Sequence, residues 1–379
     1  LLIGGSNVAG SLDGRDFIDG GAGNDTIAGD NADCCRRSDL LDPRFRALVG
    51  SVIYGTGPTN DGLPLVTNEM LADPEGTTKY DVTLLDHSDD IEKNHPELWG
   101  DDYIAGGAGN DMIFGQLGND VIQGDGAIDG LVFAPYSHQI VAGQRPSLLP
   151  YGVGGTRIGA WRIPDQSVDE TLHVNPSFEA ATDGDDYIEG NGGDDTIFGG
   201  LGQDDIVGDS SDLFIGSCVD HVCTLTTAAT FRPTGADLIF GGAGNRISRN
   251  DIGQATVAAD GSIVTVPAGH ARDADVIAGD NARIYRLVGT FGRDSGALLT
   301  YAYDTYAGGL RLVVRAVDLL DYTQGGPAHR PALAASDRGA ADEIHGESGD
   351  DQLYGMVGND VLYGDGHDAN LIGGYGDDS

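Results

Sequence analysis

The residues best placed for chemistry are aspartates that recur at one position of a nine-residue unit. In Gly106-Gly107-Ala108-Gly109-Asn110-Asp111-Met112-Ile113-Phe114, glycine fills the first and fourth positions, aspartate the sixth and an aliphatic residue the eighth; Gly115 to Gln123 follows in register. The pattern returns in Gly20 to Ala28, Gly190 to Phe198, Gly199 to Val207, Gly346 to Tyr354 and Gly355 to Tyr363. The sixth-position carboxylates are Asp16, Asp25, Asp102, Asp111, Asp120, Asp186, Asp195, Asp204, Asp237, Asp275, Asp342, Asp351, Asp360 and Asp378. A second set, Asp30, Asp125, Asp209, Asp280 and Asp365, follows a glycine where each run of units stops. All are candidate metal ligands. Glycines free the backbone carbonyls to share a centre with these carboxylates, and an all-oxygen, anionic site suits calcium rather than zinc or copper.

Charge points the same way. The 379 residues carry 60 acidic against 21 basic side chains, a formal net charge of -39, with 61 glycines. Carboxylates stacked roughly 5 Å apart repel by about 1 kcal/mol per pair in water and by more at lower dielectric. A column of them needs cations to close, so the metal-free chain is expected to be largely unfolded. Nucleic acid is excluded as a natural partner, and an anionic membrane surface is disfavoured. No run of about 18 apolar residues is present to span a membrane.

A tandem unit of constant period, rich in Gly and Asp, resembles the nonapeptide of RTX (hemolysin-type) calcium-binding proteins, as found in secreted bacterial adhesins and surface proteins. The resemblance implies an all-β fold, a calcium-bound parallel β-roll with Ca2+ held between turns stacked on one edge. Six residues make each turn and three a short strand, whose eighth-position residue points inward. Ile18, Ile27, Ile104, Ile113, Ile122, Ile188, Ile197, Ile206, Ile239, Ile277, Ile344, Leu353 and Leu362 occupy that position, which a disordered acidic linker would not require.

These elements organise the chain as a super-repeat. Nonapeptide blocks span residues 1–31, 97–126, 181–210, 234–282 and 337–379. Inserts span 32–96, 127–180, 211–233 and 283–336, and a hairpin interrupts the fourth block near 250–271 with Asp260-Gly261 as its turn. Within that block Arg246 stands where aspartate belongs and Ser248 where the aliphatic residue belongs, which predicts one lost calcium site. The inserts carry strand-like runs, including 47–54, 156–163 and 310–317, and three Leu-Leu-Asp tails at 40–42, 84–86 and 319–321. Three nonapeptides are too few to fold alone, so the blocks are expected to stack into one roll of roughly fifteen strands on two faces, about 35–40 Å long, with inserts leaving sideways. Ninth-position aromatics (Phe114, Phe198, Phe240, Tyr354, Tyr363) point outward and must be covered by inserts or meet another subunit.

Other chemistry is weaker. Cys218 and Cys223 are placed to close a hairpin as a disulfide, and with His221 they offer three ligands of a zinc site that lacks a fourth. Adjacent Cys34 and Cys35 can form a vicinal disulfide or bridge elsewhere. Neither a His-Glu-x-x-His helix nor a Gly-x-Ser-x-Gly elbow occurs. The pairs Asp185-Asp186, Asp194-Asp195 and Asp350-Asp351 mimic a glycosidase dyad but fall on the calcium turn, as does the sequon Asn24-Asp25-Thr26. The outward positions lack the regular threonine ladder of an ice-binding face.

The chain begins in mid-pattern at Leu1 and stops just past the sixth position of a further unit, which predicts a segment of a longer repetitive protein. The expected function is a secreted, extracellular, non-enzymatic structural protein. It would be a calcium-rigidified segment of an adhesin, surface layer or filament, self-associating through the open ends of the roll. Two other readings are kept. One is a calcium-dependent carbohydrate-binding module using Tyr151, Trp161, Tyr301, Tyr303 and Tyr306; the other is the secretion and folding region of a larger enzyme.

Overall fold

The computed structural model describes residues 1–53, 65–128, 158–163, 171–244, 256–257, 263–264, 273–301, 311–323, 336–366 and 369–379. Two parallel sheets face each other. The first has eight strands, in the order Leu2–Ile3, Thr26–Ala28, Met112–Leu117, Tyr187–Gly192, Asp205–Val207, Val276–Ala278, Gln352–Val357 and Asn370–Tyr375. The second has seven: Phe17–Asp19, Tyr103–Ala105, Val121–Gln123, Thr196–Phe198, Leu238–Phe240, Glu343–His345 and Val361–Tyr363. The chain alternates between the sheets, each short strand followed by a turn, so the blocks form one continuous β-roll as the periodicity predicts. Register is set by the eighth position. Ile27 lies opposite Ile113, which lies opposite Ile188, and Ile104 opposite Ile122. The thirteen aliphatic residues named from sequence form a single buried core cluster between the sheets. A slip of one residue would turn that entire set outward, which is why so short a strand can hold its pairing.

Glycine has two distinct tasks in the turn. At the fourth position it takes left-handed backbone, as at Gly118 with φ 123°. At the first position space decides: a Cβ on Gly355 would lie 2.5 Å from Asp360 Oδ2 and 2.7 Å from the Gly373 carbonyl of the next coil. The second position also takes positive φ but tolerates Gln116 (φ 79°), Asn191 (79°) and Met356 (74°).

The inserts open the roll within a turn instead of separating complete units. Gly29, Asp30 and Asn31 are the first three positions of a turn, and Gly100, Asp101 and Asp102 supply the fourth to sixth. A Cβ on Gly29 would meet Asp102 Oδ2, just as a Cβ on Gly106 would meet Asp111 Oδ2 within an uninterrupted unit. Gly124 meets Asp186 in the same way, Gly208 meets Asp237, and Gly279 meets Asp342.

The fourth block corrects the sequence reading by the same device. Gly241 begins a turn that Asp275 completes, with Gly241 against Asp275 Oδ2. The ladder passes unbroken from the Asp204 N–H to Asp275 Oδ1 (2.8 Å) and from the Asp275 N–H to Asp351 Oδ1 (2.9 Å). The column of aspartates is therefore continuous through this block; Arg246 and Ser248 themselves lie outside the described residues. The hairpin is present, with Thr256–Val257 antiparallel to Ile263–Val264.

Most inserts are antiparallel β. Ala32–Arg36 pairs with Tyr80–Leu84, Gly159–Ile163 with Thr171–Asn175, Gly216–Val219 with Val222–Leu225, and Ala282–Leu287 with Arg315–Leu319. The run expected as a strand over 47–54 forms none in its described part, 47–53, which carries only an isolated bridge from Leu48 to Val66; the short strand Phe45–Arg46 lies just before it and pairs with Ala282–Leu287. Two Leu-Leu-Asp tails act as clasps. Asp86 (φ 53°) and Asp321 (φ 50°) accept from the side-chain amides of Asn31 (3.1 Å) and Asn281 (3.3 Å), at the start of the same inserts. Asp42 instead caps its own loop, accepting from the Arg44 N–H at 2.7 Å and the Thr78 hydroxyl at 2.7 Å.

The outward aromatics are mostly covered. Phe114 is buried against Phe214 (ring centroids 4.9 Å) and Tyr187 (6.2 Å) within a cluster built by the first, third and fourth inserts. On the other sheet Phe198, Phe240, His345 and Tyr363 stack in a ladder at 5.0, 5.0 and 4.4 Å. Tyr363, at its end, is 41% exposed. Tyr354 is half-buried.

Candidate metal centre

The sixth-position aspartates form two columns, one along each edge of the roll. In the first, each backbone N–H donates to the carboxylate of the next coil: Asp16 to Asp102 (2.7 Å), Asp102 to Asp120 (2.7 Å), Asp120 to Asp195 (2.8 Å), Asp195 to Asp237 (2.9 Å), Asp237 to Asp342 (2.9 Å), Asp342 to Asp360 (3.0 Å) and Asp360 to Asp378 (3.2 Å). In the second, Asp25 donates to Asp111 (2.7 Å), Asp111 to Asp186 (2.7 Å), Asp186 to Asp204 (2.7 Å) and Asp204 to Asp275, which continues to Asp351. Ala369 stands where the next aspartate of this column would fall.

That bond uses Oδ1 only. The Oδ2 atoms of Asp102, Asp111, Asp120, Asp186, Asp195, Asp204, Asp237, Asp275, Asp342, Asp351 and Asp360 are buried without a hydrogen-bond partner. A buried polar atom left unsatisfied costs about 1–3 kcal/mol, and more if charged, so a whole row of them calls for a ligand. Each Oδ2 faces the first-position glycine of its turn, and at most of them a backbone carbonyl of the neighbouring coil lies beside it; Gly190 O next to Asp120 and Gly373 O next to Asp360 are examples. Anionic carboxylate oxygens, neutral carbonyls and no nitrogen or sulfur make the donor set that calcium takes. The residues therefore fit Ca2+, and the columns are where it would be held.

Electrostatics agree. Burial, compounded by neighbouring carboxylates, pushes Asp120, Asp186, Asp195 and Asp204 well above the usual carboxylate range. Burial raises Asp111 to about 7, and Asp16 and Asp360, nearer the roll's ends, to about 6. A bare column thus takes up protons, whereas a divalent cation lets it stay ionised.

The second candidate set sits differently. Asp30 accepts from the Gly100 N–H (3.0 Å) and the Leu117 N–H (3.0 Å); Asp125 from Gly184 (3.2 Å) and Leu201 (3.3 Å); Asp280 from Ala340 (2.9 Å) and Val357 (2.7 Å). Asp209 accepts from Gly235 at 2.8 Å and keeps Oδ2 unpartnered. Gly100, Gly184, Gly235 and Ala340 are the fourth-position residues where the chain returns from an insert. These aspartates stand outside both ladders and fasten the two halves of an opened turn. Asp365, at the last stop, has His345 Nδ1 at 3.4 Å.

Sequence reasoning missed two features. A parallel ladder runs along the fifth position, where Asn24, Asp101, Asn119, Asp185 and Asp194 side chains accept N–H groups of the adjacent coil at 3.0–3.1 Å. Asn, Asp or Gln at most fifth positions was its signal, with Arg15, Ala236, Ala274 and Ala341 as exceptions. Asp273, at a fourth position, adds another buried unpartnered oxygen.

Five segments, residues 4–33, 98–131, 181–212, 234–246 and 338–368, match the family model of the RTX calcium-binding nonapeptide repeat. No curated protein matches the chain.

Proposed function

The chain carries RTX calcium-binding repeats, and from that premise we propose that it is a secreted, non-enzymatic structural segment: a roll set rigid by Ca2+ within a longer extracellular adhesin, surface layer or filament. The observation that carries the reading is the double row of buried, unpartnered Oδ2 atoms, which makes closure of the roll conditional on a divalent ion. Millimolar calcium outside cells would supply it. Among the described residues no helix is long and apolar enough to cross a membrane.

Assembly rests on the ends of the roll. The outermost strands of a parallel roll offer unpaired backbone groups to a further coil of the same chain or to a second copy. A heterologous contact of that kind extends into a filament. Electron microscopy with and without millimolar calcium tests this: elongated, end-to-end particles only with calcium support the reading, and compact monomers in both conditions contradict it.

The carbohydrate-binding reading has less behind it. Tyr301 packs against the insert core, Tyr151, Tyr303 and Tyr306 lie outside the described residues, and so does the side chain of Trp161.

A further inference from the structure

Away from the calcium columns, a second kind of ligand set gathers where the first and third inserts meet. Strand Ala32–Arg36 alternates its side chains, so Asp33 and Cys35 share one face while Cys34 packs toward the insert core. Opposite them stands the hairpin Gly216–Leu225. Its two-residue turn, Asp220 (φ 51°) and His221 (φ 62°), takes left-handed backbone at both positions, and the Cys218–Cys223 disulfide closes the strands behind it. The turn lays His221 over Asp33. The Nδ1 atom lies 2.9 Å from both Asp33 oxygens, and Cys35 Sγ lies 3.6 Å from Oδ1. One ligand atom each from Asp33, Cys35 and His221 falls within 4.8 Å of the other two. Cys34 and Cys35 are free thiols.

We propose that Asp33, Cys35 and His221 form a zinc site distinct from the calcium columns, a staple that ties the third insert to the first across the outside of the roll. One oxygen, one nitrogen and one sulfur is a donor set that calcium does not take and zinc does. Tetrahedral zinc at ordinary bond lengths sets its ligands about 3.4 Å apart for N and O and about 3.6 Å for S and O. The sulfur–oxygen distance already matches, the nitrogen–oxygen distance is short of the tetrahedral value by about 0.5 Å, and the nitrogen and sulfur lie within 4.8 Å of each other. Asp33 is 4% exposed, and His221 is its one salt-bridge partner among the described residues, so a buried carboxylate is left with little cationic compensation. The His221 side chain is 59% exposed, which gives the ion a way in from solvent. Three protein ligands leave a fourth position for water. Binding releases two protons to solvent, one from the Cys35 thiol and one from the charged His221 imidazole, whose Nδ1 must be bare to ligate; it forms the zinc–thiolate and zinc–imidazole bonds with no change of oxidation state.

The test uses the whole chain in millimolar calcium with the disulfide intact. Zinc is titrated calorimetrically into the wild type, Cys35→Ser, His221→Ala and the double variant, and cobalt(II) serves as the spectroscopic probe. One zinc bound at least tenfold more tightly than by the double variant supports the site, as does a thiolate-to-cobalt absorption that disappears in Cys35→Ser. Equal zinc binding by wild type and double variant would assign it to the acidic surface and overturn the proposal. An absorption that survives Cys35→Ser, or appears only after the disulfide is reduced, would transfer the ligand role to Cys218 and Cys223 and overturn it equally. Circular dichroism in calcium confirms that each variant is folded; both side chains lie outside the roll core, so the roll is expected to be intact.

Discussion

Asp204 and Asp205 are neighbours in sequence and belong to two different regions of the molecule. Asp204 faces the roll's edge, where its Oδ1 takes the N–H of Asp186 and its Oδ2 has no partner. Asp205 faces the insert sheet, where Arg286 reaches it at 2.6 Å and Arg315 at 3.1 Å. Both are buried. Burial pushes Asp204 upward, aided by Asp275; at Asp205 the same burial is outweighed by the two guanidinium groups, and the carboxyl is held below its usual range. Other insert carboxylates follow its example, Asp212 and Asp318 with Arg283 and Asp321 with Arg232, whereas the columns run carboxylate upon carboxylate. Around these arginines the chain compensates buried acids with its own cations, and it leaves the roll's edges to cations from solution.

The largest expected effect comes from the insert side. Asp205→Asn strands two buried guanidinium groups and should cost about 3–5 kcal/mol in denaturant unfolding at saturating calcium, while calcium stoichiometry is unchanged. A change in stoichiometry would erase the distinction between the two regions. On the roll side, Asp195→Asn should lower calcium affinity at the sites it borders by at least about tenfold, roughly 1.4 kcal/mol, and lower the melting temperature in calcium. In chelator the difference should disappear, because without calcium the columns do not close and the side chain has no ion to hold. A substitution harmful to the same extent with and without calcium would show that Asp195 is not a ligand.

A smaller loss, about 1–3 kcal/mol, is expected for Asp280→Ala, which leaves the Ala340 and Val357 N–H groups without their acceptor. Bound calcium measured at saturation should not change; a fall would return Asp280 to the metal ligands.

Proton dependence should be the mildest effect and opposite in the two states. The folded value of Asp111, about 7, lies above the ordinary 3.8, so the metal-free fold binds more protons than the unfolded chain. Its contribution is fully present below about 4 and fades as pH rises through about 7. With calcium bound, protons compete for the same oxygens, and apparent affinity should weaken as pH falls through that window. Calcium titrations at pH 5.5 and 7.5 check the second half, and circular dichroism of the metal-free chain from about pH 4 to about pH 8 the first, with any metal-free β signal confined to the acid end.

Much of the roll could be read from sequence because its rule is local: the period of nine fixes the inward aliphatic, the turn glycines and the sixth-position carboxylate within one unit. What could not be read depends on residues far apart. Turns such as Gly29 with Asp102 or Gly241 with Asp275 are assembled across an insert, and their halves become one turn only in the folded chain. The same distance hid the role of Asp30, whose acceptor bond to Gly100 spans 70 residues. Insert strands were legible where residues alternate, as in Gly159–Ile163, and not at 47–53, an apolar run of which Val49 to Val52 stay exposed.

The central claim, that divalent ions complete the two carboxylate columns, is tested most directly by circular dichroism and thermal melting at neutral pH during dialysis into chelator and back into calcium. The account predicts that the β signal and the melting transition collapse without calcium and return in full when it is restored. A spectrum and transition unmoved by chelation would contradict it.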